Sequence, residues 1–124
     1  MPRANPETLP KRADFLRAAA RGRKVARPGF VVQVLKTTPD ATLRIGFTAS
    51  RKVGNAVHRN RARRRLRAAV RLELGTRALA GADIVVIARK DTAKVDFARM
   101  RADLGAILDQ SFAPLAGPPA DGPV

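Results

Sequence analysis

A run of arginines without acidic neighbours is the part of this chain whose residue types point most directly to a chemistry. From Arg44 to Arg71 there are ten Arg or Lys residues and no Asp or Glu, within a chain of 124 residues whose formal net charge is +15. A patch this dense repels itself unless a polyanion neutralises it. Arginine predominates, and its planar guanidinium suits phosphate oxygens, base edges and stacking on unpaired bases. The segment therefore predicts a nucleic-acid interface rather than a solvated helix face, which usually mixes charges of both signs.

Residues that could give the protein its own catalytic or metal site are few. The chain has no cysteine, which excludes disulfides and thiolate sites, and its one histidine, His58, has no partners for a histidine-centred triad or metal site. The spacing of Asp83, Asp91 and Asp96 is not that of a metal site. We interpret Asp83 as a strand-edge residue and Asp96 as a helix cap. We therefore expect no catalytic residue and no metal ligand in this chain.

Asn60 and two phenylalanines are the candidates for contacting unpaired nucleotides. Asn60 interrupts the arginines and could hydrogen-bond a base edge or a ribose hydroxyl, although an ordinary polar surface residue is the alternative. Phe15 and Phe30 are two of five aromatic residues and lie in segments that could border a sheet. There they could stack on bases. The alternative for each is a place in the core, which is the commoner position for phenylalanine.

The overall composition favours one soluble domain. With 45% hydrophobic residues the chain can bury a single modest core. No run approaches the roughly 18 apolar residues of a membrane span, and the N-terminal residues lack the apolar segment of a signal peptide. We expect a cytoplasmic protein that does not bind membranes.

An α+β fold must position these residues, with the element order α-β-β-β-α-β-α in a single-domain sandwich of one sheet and packed helices. β-Branched residues, alternating apolar residues and a near-continuous apolar run predict the strands of residues 30–36, 43–50 and 83–89 in turn, and apolar residues three or four positions apart predict helices. The predicted helices span residues 9–20, residues 56–74 and a segment that begins after Asp96, and the predicted strands span residues 23–26, 30–36, 43–50 and 83–89. Residues 1–8 are expected to form a flexible arm and residues 114–124 a disordered tail, which leaves residues 9–113 as the folded domain.

The basic segment is predicted to be a turn followed by a helix. Gly54 allows a sharp turn and Asn55 can cap the helix. One helix face carries the apolar residues Ala62, Leu66, Ala69 and Val70, and another carries arginines at four-residue spacing, Arg59, Arg63, Arg67 and Arg71. The strand, helix and strand of residues 43–89 should form a crossover, which the general rule makes right-handed.

Residues 46–67, GFTASRKVGNAVHRNRARRRLR, closely resemble the protein subunit of bacterial ribonuclease P. The similarity rests on the run from Lys52 to Val57 and on Arg59-Asn60-Arg61, placed after a strand and at the start of a helix. It extends from about Leu9 into the last helix.

The resemblance implies a fold like the second domain of ribosomal protein S5, with a left-handed crossover that departs from the general rule. It implies that catalysis belongs to a large RNA subunit, which uses Mg²⁺ to remove the 5′ leader from precursor tRNA. The protein alone is expected to hold no cofactor, and no protein partner is implied. Its expected partners are the catalytic RNA and the precursor tRNA.

The resemblance also assigns two sets of binding residues. Those expected to face the RNA subunit are Arg51, Lys52, Asn55, Arg59, Asn60, Arg61, Arg63, Arg64 and Arg67. Those expected at a cleft for the leader, between the first helix and the sheet, are Phe15, Lys24, Phe30 and Gln33. Ala19 and Gln33 stand where the family often has aromatic residues, so stacking in this cleft is expected to be weaker.

Two other functions fit the charge pattern. A ribosomal or assembly protein could bind structured RNA without supporting catalysis, and its composition would be the same. A DNA-binding module could place the basic helix in a major groove. The short hydrophobic seam and the lack of a dimerisation element weaken the DNA alternative.

Overall fold

One mixed sheet with helices on both faces forms the body of the protein. The computed structural model describes residues 7–8, 12–49, 51–77 and 79–112. The strands are β1 (Glu7–Thr8), β2 (Arg23–Arg27), β3 (Phe30–Lys36), β4 (Arg44–Thr48) and β5 (Ala82–Ala88), in the spatial order β1-β4-β5-β3-β2. The helices are α1 (Arg12–Arg21), α2 (Ala56–Leu74) and α3 (Phe97–Ser111), and a 3₁₀ turn spans Arg51–Val53. The predicted α+β class is confirmed, and so is the predicted order from the first helix onward, whereas β1 precedes that helix and was not predicted.

The strand pairing explains how the chain builds this sheet. β2 and β3 form an antiparallel hairpin, and β3 pairs with β5 antiparallel. β4 and β5 are parallel neighbours, so α2, which joins them, is the predicted crossover. β1 also pairs with β4, in parallel, so residues 7–8 of the expected arm belong to the sheet. Residues 1–6 of that arm and residues 114–124 of the expected tail lie outside the described residues.

The larger core lies between the sheet and the pair α2 and α3. Alternate residues of each strand point to this face, and the apolar stripe of α2 packs onto them. The stripe is the predicted one, extended by Leu74. Asp96 caps α3 as expected, because its side chain accepts a hydrogen bond from the backbone N–H of Arg99 at 3.1 Å.

Phe30 belongs to this larger core, so the prediction that it lines a cleft beside α1 is wrong. It is 1% exposed and packs with the residues under α2 and α3. In β3 its neighbours in the alternation are Val32 and Val34, whereas Val31, Gln33 and Leu35 point to the opposite face. The alternative, a core phenylalanine, is the correct one.

The opposite face of the sheet carries α1. Ala18 and Val85 are buried between the helix and the sheet, and Phe15, Leu35 and Ile87 are half-buried around them. Gly22 ends the helix as expected, with its N–H bonded to Ala18 O at 2.8 Å. α1 therefore covers only part of its face, over a small apolar contact.

None of the helices within the described ranges is long and apolar enough to cross a membrane.

Candidate nucleic-acid interface

The turn between β4 and α2 has a backbone that requires the residues found there. Gly54 has φ +139°, which other residues rarely adopt, and an added Cβ would lie 2.9 Å from the Cβ of His58. Asn55 caps α2 as predicted, accepting from the backbone N–H of His58 at 3.0 Å. Arg59 then reaches back and donates to Gly54 O at 2.9 Å. These bonds fix the direction in which α2 leaves the sheet.

The exposed side of α2 carries five long polar side chains, which we call the α2 surface: Asn60, Arg61, Arg64, Arg67 and Arg71. Arg63, half-buried at its border, donates to Asn60 Oδ1 at 3.0 Å, so it orients the Asn60 amide. Among the described residues, no salt bridge involves an arginine between positions 59 and 71. The positive charge of this surface is therefore not neutralised by carboxylates of the described chain.

Two arginines of the basic run serve the fold instead. Arg44 is bound by Asp83 and Asp14 on the α1 face. Arg65 donates to the backbone carbonyls of Thr92 and Val95, the latter at 2.6 Å. The run of ten basic residues therefore overstates the charge available to a polyanion, since these two are occupied within the protein.

The segment before α2 adds positive charge next to the α2 surface. Lys52 is exposed in the 3₁₀ turn, and the side chain of Arg51 lies outside the described residues. The N-terminus of α2 has no acidic residue in its first turn, so its partial positive charge adds to that of these side chains. β4 and β5 are parallel, so the residues that follow them lie at the same end of the sheet. Arg89 and Lys90, both exposed, therefore stand at this end, although sequence reasoning did not select them.

A second candidate surface lies beside α1. Lys24 and Gln33 are direct cross-strand partners, and Gln33 pairs onward with Val85, so these residues share the α1 face. Val31 and Ile87 pair on the same face and are half-buried, as is Phe15 of α1. We call Phe15, Lys24, Val31, Gln33 and Ile87 the α1-side surface.

This α1-side surface has a chemistry unlike that of the α2 surface. Lys24 is exposed, whereas Gln33 is 6% exposed and makes no side-chain hydrogen bond within the part of the chain that the structure describes. A half-buried apolar strip with an amide and an ammonium at its border suits unpaired bases joined by a charged backbone. Three of the four predicted leader residues therefore come together here, and Phe30 does not.

A buried network of charges ties α1 to the sheet. Arg44 donates from Nε to Asp83 Oδ1 at 2.8 Å and from Nη2 to Asp83 Oδ2 at 2.6 Å. The same Nη2 is 3.3 Å from Asp14 Oδ1 in α1. The hydrogen bond to Asp83 raises the pKa of Arg44. Desolvation of the guanidinium opposes this shift, and the charges of both carboxylates add to it. Asp83 is the second residue of β5, at the end of the strand where it was expected, and it is 2% exposed.

Within the described ranges, no group of three or more His, Cys, Asp or Glu residues is arranged to hold a metal ion.

Comparison with known proteins agrees with the motif in the turn and α2. The family model described as Ribonuclease P matches residues 3–111. A protein of Gluconacetobacter diazotrophicus called ribonuclease P protein component is 52% identical over 100 residues, which are 81% of this chain and 86% of that protein. A protein of Paramagnetospirillum magneticum with the same name is 49% identical over 82% of this chain and 80% of its own length.

Solved structures give the same result for the fold. The ribonuclease P protein of Staphylococcus aureus superposes with a TM-score of 0.70 at 29% identity, covering 87% of this chain and 97% of that chain. The ribonuclease P protein of Thermotoga maritima superposes with a TM-score of 0.69 at 35% identity, covering 84% and 96%.

Proposed function

Since this chain belongs to the bacterial ribonuclease P protein family, we propose that it binds a catalytic RNA through the α2 surface and grips the 5′ leader of precursor tRNA through the α1-side surface. In this way it assists the Mg²⁺-dependent removal of the leader. The observation that carries the proposal is the set of arginines on α2 that no carboxylate of the described chain neutralises.

The α2 surface suits a structured RNA. Its arginines are held by a helix that packs on the core, and these residues are exposed. Each can form charge-assisted, bidentate hydrogen bonds with a phosphate, and Asn60 can both donate and accept at a base edge or ribose. We include Lys52, Asn55 and Arg59 in the RNA-binding set because they lie in the turn or at the start of the helix, and Arg63 because it borders the α2 surface. Arg51 is included on the family motif alone.

The α1-side surface suits a single strand. Apolar area for contact with bases comes from Phe15, Val31 and Ile87. The amide of Gln33 can hydrogen-bond a base, and the ammonium of Lys24 can bind a phosphate. One phenylalanine in this set, rather than several aromatic residues, makes stacking modest. Hydrogen bonds and charge therefore carry more of the proposed leader affinity.

The division of labour follows from these two surfaces. We propose that the RNA subunit holds the Mg²⁺ ions and carries out hydrolysis, and that the protein lowers the electrostatic cost of bringing two polyanions together. The S5-like description of the fold, the left-handed crossover between β4 and β5, and a cytoplasmic location are further proposals drawn from the family.

Reconstitution tests the function. The chain is mixed with a ribonuclease P RNA at low Mg²⁺, and leader removal from a precursor tRNA is followed. We expect the protein to stimulate cleavage by the RNA. The matched control is Arg99→Ala, which removes an exposed arginine on α3 and should stimulate as well as wild type. Absence of stimulation by the wild-type protein would contradict the proposal and leave the ribosomal or DNA-binding alternatives.

The salt dependence of RNA binding tests the proposed contact between the α2 surface and phosphates. Each phosphate neutralised should add roughly 0.7 to 0.9 to the slope of log affinity against log salt concentration. A slope near zero for the RNA subunit would show that the α2 surface is not a phosphate-binding site. A duplex DNA of equal length serves as competitor, and equal affinity for both would favour the DNA-binding alternative.

A further inference from the structure

We propose that Asp14 is a positioning residue for leader binding, because its link to Arg44 sets the placement of α1 beside the α1-side surface. The inference rests on the proposed function, since it concerns how the leader is gripped. It assigns a role to a buried charge network that neither binding surface contains.

The link joins a helix to two strands that are far from it in sequence. Arg44 lies in β4 and Asp83 opposite it in β5, where they are direct pairing partners. Their two hydrogen bonds, at 2.8 and 2.6 Å, already pair the guanidinium with a carboxylate. Asp14 adds a third contact at 3.3 Å, and Arg17 approaches the same oxygen at 3.4 Å from within α1. The contact with Asp14 is therefore not needed to neutralise Asp83, and its distinct effect is to hold the helix.

Few other contacts fix α1 on the sheet. At its C-terminal end Gly22 lies close to Val34, where an added Cβ would be 3.1 Å from the carbonyl oxygen. In the middle Ala18 packs on Val85, and Phe15, Leu35 and Ile87 pack around this pair. Near its N-terminal end the polar link is Asp14. Gly22 and Asp14 thus hold opposite ends of a helix of 10 residues.

Phe15 follows Asp14 directly, so releasing the N-terminal end moves the aromatic ring that the leader is proposed to contact. The other members of the α1-side surface lie on β2, β3 and β5 and do not move with the helix. Loss of the link should therefore change the distance between Phe15 and Gln33 without altering the α2 surface, which is on the other face of the sheet. We therefore expect the loss of the link to weaken leader binding alone.

The test compares Asp14→Ala with wild type in the reconstituted holoenzyme. Dissociation constants are measured for the RNA subunit, for a precursor tRNA with a leader of several nucleotides, and for one with a single-nucleotide leader. We expect Asp14→Ala to weaken binding of the long-leader precursor by about two- to tenfold, which corresponds to the net contribution of one typical hydrogen bond. Affinity for the RNA subunit and for the short-leader precursor should stay at the wild-type value.

Two variants separate positioning from general damage. Asp14→Asn keeps an oxygen that can accept from Arg44, so it should restore part of the leader affinity. Asp109→Ala removes an exposed carboxylate of α3 that is paired with Arg77, and it should leave all three constants unchanged. Hydrogen exchange on the free protein gives an independent measure, because amides of α1 should exchange faster in Asp14→Ala while those of α2 do not.

The outcomes distinguish this inference from the proposed function. Equal weakening of both precursors, or unchanged discrimination between them, would overturn the role of Asp14. If Asp14→Ala does not fold, a partial loss of affinity for the long-leader precursor alone in Asp14→Asn, with faster exchange of α1, would support it, and no loss or an equal loss for both precursors would overturn it. If wild type itself binds both precursors equally, the proposed leader contact fails instead.

Discussion

The two faces of the sheet use arginine in opposite ways. On the α1 face, Arg44 gives its hydrogen bonds to the carboxylates of Asp83 and Asp14. On the other face, Arg61 and Arg64 point from α2 into solvent and enter no salt bridge among the described residues. All three belong to one run of the sequence that has no acidic residue. Their difference arises only when the fold brings distant carboxylates to one of them.

This contrast shows which arginines are available for binding. A guanidinium buried against carboxylates contributes to holding the fold, and removing it leaves buried charges without a partner. An exposed guanidinium without a carboxylate contributes to the field that attracts a polyanion. Substitutions on the two faces should therefore affect different measurements.

Arg44→Met should produce the largest change, and it should be a change in stability. Asp83 is 2% exposed and would lose its partner, so we expect the free energy of unfolding to fall by about 3 kcal/mol, toward the lower end for a broken buried pair because the Arg44 side chain is 26% exposed. Urea denaturation measures this. The control Arg12→Met removes an exposed arginine of α1 and should shift the midpoint little. A small shift for Arg44→Met would show that the network does not hold the sheet and helix together.

The double substitution Arg61→Ala and Arg64→Ala should change binding and leave stability nearly as it is. Each side chain can supply a charge-assisted hydrogen bond to phosphate, so we expect affinity for the RNA subunit to fall by about a hundredfold in total. The salt slope should fall by roughly 0.7 to 0.9 for each phosphate that the variant no longer neutralises. These positions are preferable to Arg59, which also donates to Gly54 O and so serves the turn. A large loss of stability in the double variant would contradict the conclusion that the arginines of the α2 surface do not hold the fold.

Much of the fold could be predicted because its signals are local. The alternation in β4, the apolar stripe of α2 and the caps at Asn55 and Asp96 depend on residues only a few positions apart, and the structure confirms each of them. The turn at Gly54 could likewise be predicted from the sequence.

The rest depends on contacts between distant segments. Asp83 and Arg44 are 39 residues apart, and nothing near either one shows that they meet. The face to which Phe30 points depends on the register of β3, because a shift of one residue would place it beside α1. The pairing of β1 with β4 involves two residues only, too few for a sequence pattern. The charge of the basic run could therefore be read from the sequence, but not which of its arginines the fold occupies.

Arg65→Met tests an intermediate case, an arginine of α2 that serves the fold. Its guanidinium donates to the carbonyls of Thr92 and Val95 and lies 5.9 Å from the ring centre of Phe97. We expect the free energy of unfolding to fall by about 1 to 3 kcal/mol, since two backbone acceptors lose a charged donor. The salt slope for the RNA subunit should stay at the wild-type value. A reduced slope would place Arg65 among the RNA-binding residues, despite its bonds within the protein.

Asp109→Asn should change the stability least, since it breaks an ion pair at the protein surface. Arg77 donates from Nε to Asp109 Oδ1 at 2.9 Å, and this hydrogen bond, with the charge of Arg77, lowers the pKa of Asp109 below its ordinary value of 3.8. A carboxyl whose pKa is lowered by folding stabilises the protein above its unfolded pKa, and this contribution is lost as the pH falls through the folded value. The urea midpoint of wild type should therefore exceed that of the variant slightly at pH 7, and the difference should shrink as the pH falls below about 4. Because the pair is at the surface, about 1 M salt should also reduce the difference at pH 7. A difference in urea midpoint that persists in acid and in salt would mean that this pair behaves like the network at Arg44. Solvent exposure would then not explain why some arginines hold the fold and others are available for binding.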